Sequence, residues 1–165
     1  MGQIYENYWG LTLEYSDFND KFFNTCLQII IDFIDNNDMH KLDKKLYGKL
    51  QKQIYDFNPK SDYASVRKSI NQFLKLGFIN NHLQSYHPKT KEFLGSADKE
   101  TKRRIYSEIL YDNASFNRSV THPSNVNEIN FLIKTLEHCK SITQDNLMAL
   151  MTCDVSQAEF IENAE

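Results

Sequence analysis

The spacing of apolar residues between positions 18 and 76 is the feature that most limits what this chain can fold into. Apolar side chains recur three and four positions apart in three successive stretches, 18–36, 42–57 and 62–76. That period places the apolar residues of each stretch on one face of a helix, so the sequence predicts three amphipathic helices. Turn-forming residues separate them, including Pro59, which pushes the residue before it out of helical geometry.

A helix stop and two strand-like segments follow the third helix. Gly77 stands where helices often end in a left-handed residue, and residues 78–79 and 83–87 match two short strands joined by a turn. Three helices followed by a β-hairpin is the order of a winged helix, a helix-turn-helix with an attached hairpin. We therefore expect a mainly α fold of the winged-helix type.

Three further helices are predicted at 97–111, 125–139 and 143–151. Aromatic and basic residues become sparse after the first of these helices, which indicates a change of domain in the connector that follows. We therefore expect a winged-helix-like domain over 1–115 and a smaller helical subdomain over 116–165.

Residues 156–159, Ser-Gln-Ala-Glu, form a capping box that opens another helix near the end of the chain. Together with the helices before it, this segment matches the first part of a second, incomplete helix-turn-helix. The chain is therefore interpreted as a fragment of a longer protein, and a helical C-terminus that frays is the alternative.

The net charge of −3 conceals a strong asymmetry along the chain. Residues 41–110 contain 15 Lys and Arg against 7 Asp and Glu, whereas the remaining residues contain 4 against 15. A locally positive surface concentrates polyanions, so the basic middle favours a nucleic-acid partner. Charge segregation that serves solubility is the alternative explanation.

The composition also excludes several classes of protein. No stretch approaches the roughly 20 apolar residues of a membrane helix, and the N-terminus lacks the basic and apolar regions of a signal peptide. The three cysteines, Cys26, Cys139 and Cys153, are far apart and form no CxxC pair. Free thiols in a reducing compartment are the simple interpretation, so we expect a cytoplasmic protein without a membrane partner.

No catalytic or metal-binding motif is present in the sequence. Phosphate-binding, dinucleotide-binding, nucleophile-elbow and zinc-protease patterns are missing, and the five histidines lack metal-ligand spacing. Asp98 and Glu100 have the residue types of a nuclease site, but acids at a helix start are explained by the helix dipole. We expect no catalytic residue, no metal site and no cofactor in this chain.

The 62–76 helix carries the side chains that a DNA-recognition helix needs. Such a helix lies in the major groove, where Arg binds guanine, Asn or Gln binds adenine, and Lys, Ser or Tyr contacts phosphates. The candidates for DNA binding on this helix are Tyr63, Ser65, Arg67, Lys68, Asn71, Gln72 and Lys75.

Two further groups are candidates for contacts to the DNA backbone. A wing would place its return strand near the phosphates, and the basic start of the 97–111 helix would add positive charge. These candidates are His87, Lys89 and Lys91 in the wing and Lys102, Arg103 and Arg104 in the helix. A solvated helix face is the alternative for the second group.

Several segments together carry a resemblance to a known family. The segments are SVRKSINQFLKLGFIN, SYHP, RRIYSEILYDNASFNRSVT, EINFLIKTLE and NLMALMT. Over roughly residues 5–155 the chain resembles the non-catalytic part of certain bacterial type II restriction endonucleases, in which such a region precedes a nuclease domain, commonly of the HNH type.

The resemblance implies a winged-helix region that recognises double-stranded DNA, with Arg67, Lys68 and Asn71 on the DNA side. The chain contains neither a His-Asn-His pattern nor a PD-(D/E)xK motif, so it is expected to recognise DNA without cutting it. Mg²⁺ would belong to a nuclease domain outside this chain, and that domain or a homodimer partner is an expected protein partner. A winged-helix domain that binds proteins, which the acidic flanks favour, and a transcription regulator are the alternatives.

Overall fold

The computed structural model describes residues 13–115 and 127–152, and it is mainly helical, as predicted. In these residues the chain forms α-helices joined by short 3₁₀ turns and contains no β-strand. The helices are α1 (Lys21–Asp35), α2 (Lys44–Phe57), α3 (Val66–Lys75), α4 (Thr90–Gly95), α5 (Lys99–Asn113), α6 (Glu128–Cys139) and α7 (Gln144–Thr152).

Side-chain caps explain where several helices begin. Asp20, Asp43 and Asp98 accept hydrogen bonds from backbone N–H groups in the first turns of α1, α2 and α5. These bonds satisfy N–H groups that have no partner inside the helix. The hydroxyl oxygen of Thr143 accepts from the backbone N–H of Asn146 at 3.1 Å before α7. The six predicted helices that lie in the described part of the chain are confirmed, with ends shifted by a few residues.

The first three helices contact one another and enclose an aromatic core that α4 and α5 complete. Phe23, Phe73, Phe78 and Phe93 are almost completely buried. The ring centroids of Phe23 and Phe73 lie 4.9 Å apart in an edge-to-face arrangement, which aromatic pairs prefer. This core gives α1–α3 a fixed arrangement, so side chains on their outer faces hold defined positions.

The predicted β-hairpin is wrong, because residues 78–87 form a compact loop and not two strands. A single antiparallel bridge joins Ile79 to Tyr86. Between them, residues Asn81–Leu83 form a 3₁₀ turn in which His82 and Leu83 both have a φ of 57°. The left-handed residues reverse the chain too early for a ladder of paired strands to develop.

The burial of side chains in residues 78–87 explains why this segment does not form a hairpin. The side chains of Phe78, Ile79 and Leu83 are all fully buried, whereas a hairpin strand alternates buried and exposed residues. The loop is instead fastened to the core, and the hydroxyl of Thr90 donates to the carbonyl of Phe78 at 3.1 Å. Thr90 starts α4, a helix that the sequence did not predict.

The last two described helices follow α5. The side-chain amide of Asn127 donates to the carbonyl oxygens of Leu110 and Tyr111, and α6 packs against α5. The main buried cluster runs from Tyr15 to Ile109, and none of the described side chains of α6 and α7 belongs to it. The division at residue 115 stays a prediction, and the capping box at 156–159 lies outside the described residues. None of the described helices has the length and apolar character needed to span a membrane.

Candidate nucleic-acid interface

Helix α3 separates its apolar and polar residues onto two faces, as the sequence predicts. Val66, Ile70, Phe73 and Leu74 on the inner face are 0% exposed. On the outer face, Arg67 and Lys68 are exposed and Asn71 is half-buried. The helix is therefore held through one face and presents a guanidinium, an ammonium and a carboxamide from the other.

The outer face of α3 forms one side of a groove of about 800 Å³. The start of α2 forms the other side, and the turn that contains His82 also lines the groove. The residues that line the groove are Leu42, Asp43, Lys44, Tyr47, Arg67, Asn71 and His82. The contacts of α2 with α3 thus bring together side chains that are up to 40 positions apart in the sequence.

The groove has a positive character. Lys44 and Arg67 contribute two cations, and Asp43 contributes the carboxylate among the described residues that line it. The Asp43 carboxylate accepts a hydrogen bond from the backbone N–H of Leu46 at 2.7 Å, because it caps α2. Burial raises the pKa of the Tyr47 phenol and the positive charge of Arg67 opposes the shift, so Tyr47 stays neutral at physiological pH. The groove combines positive charge with several hydrogen-bond donors.

Tyr63 and Ser65, two predicted DNA contacts, hold the start of α3 in place. The Tyr63 hydroxyl donates to the backbone carbonyl of Gly48 in α2 at 2.7 Å. The Ser65 hydroxyl donates to the carboxylate of Asp62 at 3.0 Å, and the Ser65 backbone N–H donates to the same carboxylate. Both hydroxyls are therefore engaged in positioning α3.

Gln72 does not point outward, and this part of the prediction is wrong. Its side chain is 1% exposed. Its amide oxygen accepts from the backbone N–H groups of Glu14 and Tyr15 at 2.7 and 2.9 Å, and its amide nitrogen donates to the Tyr15 carbonyl at 2.7 Å. The carboxamide thus fastens the segment before α1 to α3, and a base edge has no access to it.

Lys75 lies at the junction of α3 with the end of α5 and the start of α6. Burial lowers the pKa of its ammonium, and the buried carboxylate of Glu128 opposes that shift. The Lys75 carbonyl accepts from the backbone N–H of Ser115 at 2.8 Å. This lysine is therefore part of the packing between helices, and it also lines a smaller cavity of about 110 Å³ together with Lys68, Asn71 and Gln72.

Lys102 is buried, so its prediction as an exposed phosphate contact is also wrong. Its ammonium donates to the side-chain oxygen of Asn24 at 2.5 Å and lies 4.7 Å from the ring centroid of Phe93. Burial lowers its pKa. Position 102 is three and seven residues before the buried Ile105 and Ile109, so the helical period contained the signal for its inward orientation.

Arg103 and Arg104, the two other predicted contacts in α5, are exposed but face carboxylates. Arg103 pairs with Glu100 at 3.2 Å, and Arg104 pairs with Glu108 at 2.8 Å. Lys89, from the loop before α4, pairs with the same Glu108 at 2.5 Å. Because each cation has a nearby anion, this surface attracts phosphates less strongly than its lysines and arginines suggest.

Lys91 and His87 are also used within the fold. The Lys91 ammonium lies 2.7 Å from the carboxylate of Asp35 at the end of α1, and the hydroxyl of Tyr86 donates to that carboxylate at 2.9 Å. His87 is largely buried, and its Nδ1 accepts from the backbone N–H of Lys89 at 3.1 Å. These contacts hold the 78–87 loop against α1 and α4.

Sequence reasoning missed five residues that line the groove, namely Leu42, Asp43, Lys44, Tyr47 and His82. It placed no candidate DNA contact in the 42–57 helix or in the turn after Asn80. Their position beside Arg67 depends on how α2 packs on α3, which no local pattern encodes. Among the described residues, no three metal-binding side chains come together.

No protein-family model, no curated protein and no solved structure matches the chain.

Proposed function

We propose that this chain binds double-stranded DNA in a sequence-specific manner through the α2–α3 groove, as the recognition part of a bacterial type II restriction endonuclease. The observation that supports this proposal best is the convergence of Lys44, Arg67, Asn71 and His82 on one positive groove. The resemblance of the sequence supplies the biological setting. Since no nuclease motif is present, the proposal assigns recognition and not cleavage to this chain.

The dimensions of α3 suit this role. Its 10 residues make a helix about 15 Å long. An α-helix with its side chains is about 10–12 Å across, which fits the roughly 12 Å wide major groove of B-DNA. Arg67 and Asn71 are four residues apart and therefore neighbours on one helix face. In the proposed complex Arg67 binds a guanine edge and Asn71 an adenine edge, while Lys44 and Lys68 contact phosphates.

The proposal also includes a winged-helix arrangement of α1–α3 and the 78–87 loop. Helices α1, α2 and α3 contact one another, as the three helices of such a domain do. The 78–87 loop follows α3 at the place of a wing and brings His82 to the end of the groove. In this proposal the loop is a shortened wing that contacts DNA through His82.

The salt dependence of duplex binding tests the proposal. Each lysine that neutralises a phosphate contributes about 0.9 to the slope of log affinity against log salt. Replacing Lys44 and Lys68 by alanine is therefore expected to lower that slope by about 1.8. The measurement is fluorescence anisotropy with a random-sequence duplex at several salt concentrations.

A matched variant controls for the loss of charge. Lys21 and Lys134 are also exposed and helical, and Lys21, like Lys44, is the first residue of its helix. Replacing this pair by alanine removes the same charge and is expected to leave the slope unchanged. Equal slopes for both double variants, or no duplex binding at low salt, would contradict the proposal.

A protein-interaction domain is the second candidate, and exposed apolar side chains on α5 and α6 favour it. Tyr111, Ile133 and Leu136 are 44%, 36% and 40% exposed, and the first two line a second groove of about 820 Å³. Scattered apolar residues are common on monomer surfaces, whereas grouped ones mark interaction sites. Absence of duplex binding at low salt would leave this candidate ahead.

A further inference from the structure

The α2–α3 groove has an apolar wall beside its polar residues. Leu42 and Tyr47 line the groove and are half-buried, and both also pack against the main core. Arg67 and Asn71 form the neighbouring surface of the groove. Because Leu42 and Tyr47 pack against the main core, the position of this apolar wall relative to the outer face of α3 is defined.

This pairing of surfaces has a chemical counterpart in the major groove of DNA. Purine edges offer the acceptors and donors that Arg and Asn bind, whereas the 5-methyl group of a pyrimidine is the apolar feature that a base pair presents there. An apolar wall next to an arginine and an asparagine therefore fits a 5-methylpyrimidine next to, or paired with, a contacted purine.

We infer that Leu42 and Tyr47 make the groove selective for a 5-methylpyrimidine, either thymine or 5-methylcytosine, beside the purines that Arg67 and Asn71 contact. This inference rests on the proposed DNA-binding function and goes beyond it by naming the group that sets specificity. Removal of the methyl group leaves the Watson–Crick hydrogen bonds of the base unchanged, so the methyl contact is open to a direct test.

The test starts from the sequence that the whole chain enriches from a random duplex pool. In one series each thymine of that sequence is replaced by uracil, and in a second series each cytosine is replaced by 5-methylcytosine. Burial of one carbon group contributes about 0.8 kcal/mol, which corresponds to about a fourfold change in affinity. We expect about a fourfold loss at one thymine in the first series or about a fourfold gain at one cytosine in the second.

A variant pair connects this effect to the wall. Leu42→Ala is expected to remove most of the methyl dependence and to leave the salt dependence of binding unchanged. Leu94→Ala is the matched control, because Leu94 is also half-buried against the core but does not line the groove. The two substitution series use the unaltered chain, so they decide whether binding depends on the methyl group even if Leu42→Ala fails to fold.

The possible results separate this inference from the proposed function. Sequence-specific binding with neither a loss on uracil substitution nor a gain on cytosine methylation overturns the methyl inference and leaves DNA binding in place. Methyl dependence that persists in Leu42→Ala with unchanged size overturns the assignment to this wall. No duplex binding at low salt overturns both.

Discussion

His87 is the largely buried histidine of the loop before α4, and its surroundings favour the neutral imidazole. Its Nδ1 accepts from the backbone N–H of Lys89, which a protonated imidazole cannot do. Burial lowers the pKa of His87, and the carboxylate of Asp112, 3.9 Å from Nε2, opposes this shift without reversing it. Folding therefore favours the neutral form.

The pH dependence of stability follows from this environment. The folded pKa of His87 is below its unfolded value of about 6.5, so the unfolded chain binds more protons in the window below that value. We expect the stability that neutral His87 contributes to be complete above pH 6.5 and to decrease as the pH falls from 6.5 towards the folded pKa. Thermal unfolding between pH 7.5 and 5 measures this decrease.

His87→Asn tests whether this residue is the cause. The side-chain oxygen of asparagine takes the place of Nδ1 and accepts the same backbone hydrogen bond without titrating. The variant is expected to lose less stability than the unaltered chain as the pH falls, whereas His40→Asn, at an exposed position, is expected to keep the original profile. An unaltered profile in His87→Asn would disprove the assignment.

Single residues also show where sequence reasoning stops. Gln72 has the polarity of an outward residue, yet its side chain is buried and its three backbone hydrogen bonds hold the segment before α1 against α3. Lys102 has the charge of a surface residue, yet its stem and ammonium are covered by Asn24 and Phe93. Polarity predicts exposure only when no buried partner exists, and that partner comes from another part of the chain.

At the scale of elements, the end of α3 depends on one glycine. Gly77 has a φ of 88°, in the left-handed region that residues with a Cβ rarely adopt. A Cβ at this position would lie 2.7 Å from the Cβ of Asn113 and 2.9 Å from the Asn113 carbonyl carbon. The glycine therefore permits both the helix stop and the close approach of α5.

Gly77→Ala is expected to destabilise the fold by at least about 2 kcal/mol, because backbone strain and the contact with α5 act together. Chemical denaturation provides the measurement. Gly48→Ala is the matched control, since a Cβ at Gly48 has no atom within 4 Å and the residue lies inside α2. There the same substitution is expected to stabilise the chain by about 0.5–1 kcal/mol. A mild effect of Gly77→Ala would show that α5 yields at this contact.

Other elements were predictable to different degrees. Helices α1, α2 and α3 follow from apolar spacing, and aspartates also cap α1 and α2, so the signals are local. The loop at residues 78–87 was not predictable from local signals, because the short apolar segments after Gly77 have the composition of strands but are held by the core in a loop. Helix α4, only six residues long, is also set by its surroundings, since Phe93 is buried there against Phe78.

At the scale of the whole molecule, the main aromatic core lies between Tyr15 and Ile109. The contacts of α6 with this part include its packing against α5, the Asn127 amide bonds and the proximity of Glu128 to Lys75. Hydrogen bonds of this kind contribute about 1 kcal/mol each. The core is therefore expected to form without α6 and α7.

A fragment of residues 1–115 tests this expectation and the predicted division of the chain. It is expected to unfold cooperatively with a loss of about 2 kcal/mol, which lowers Tm by roughly 10 °C for a domain of this size. Circular dichroism during heating provides the measurement. A fragment without cooperative unfolding would mean that the chain is one folding unit and that the division at residue 115 is wrong.

Local sequence patterns account for the mainly helical character of the described chain, the positions of α1–α3 and the amphipathic character of α3. These features depend on contacts between residues three or four positions apart and on side chains that cap their own helix. The three-dimensional arrangement of the helices was needed to show that Gln72 and Lys102 point inward, that residues 78–87 form a loop, and that Lys44, Tyr47 and His82 join Arg67 and Asn71 around one groove. Those outcomes depend on packing between distant segments, where a buried hydrogen bond or an aromatic contact outweighs the local preference of a residue.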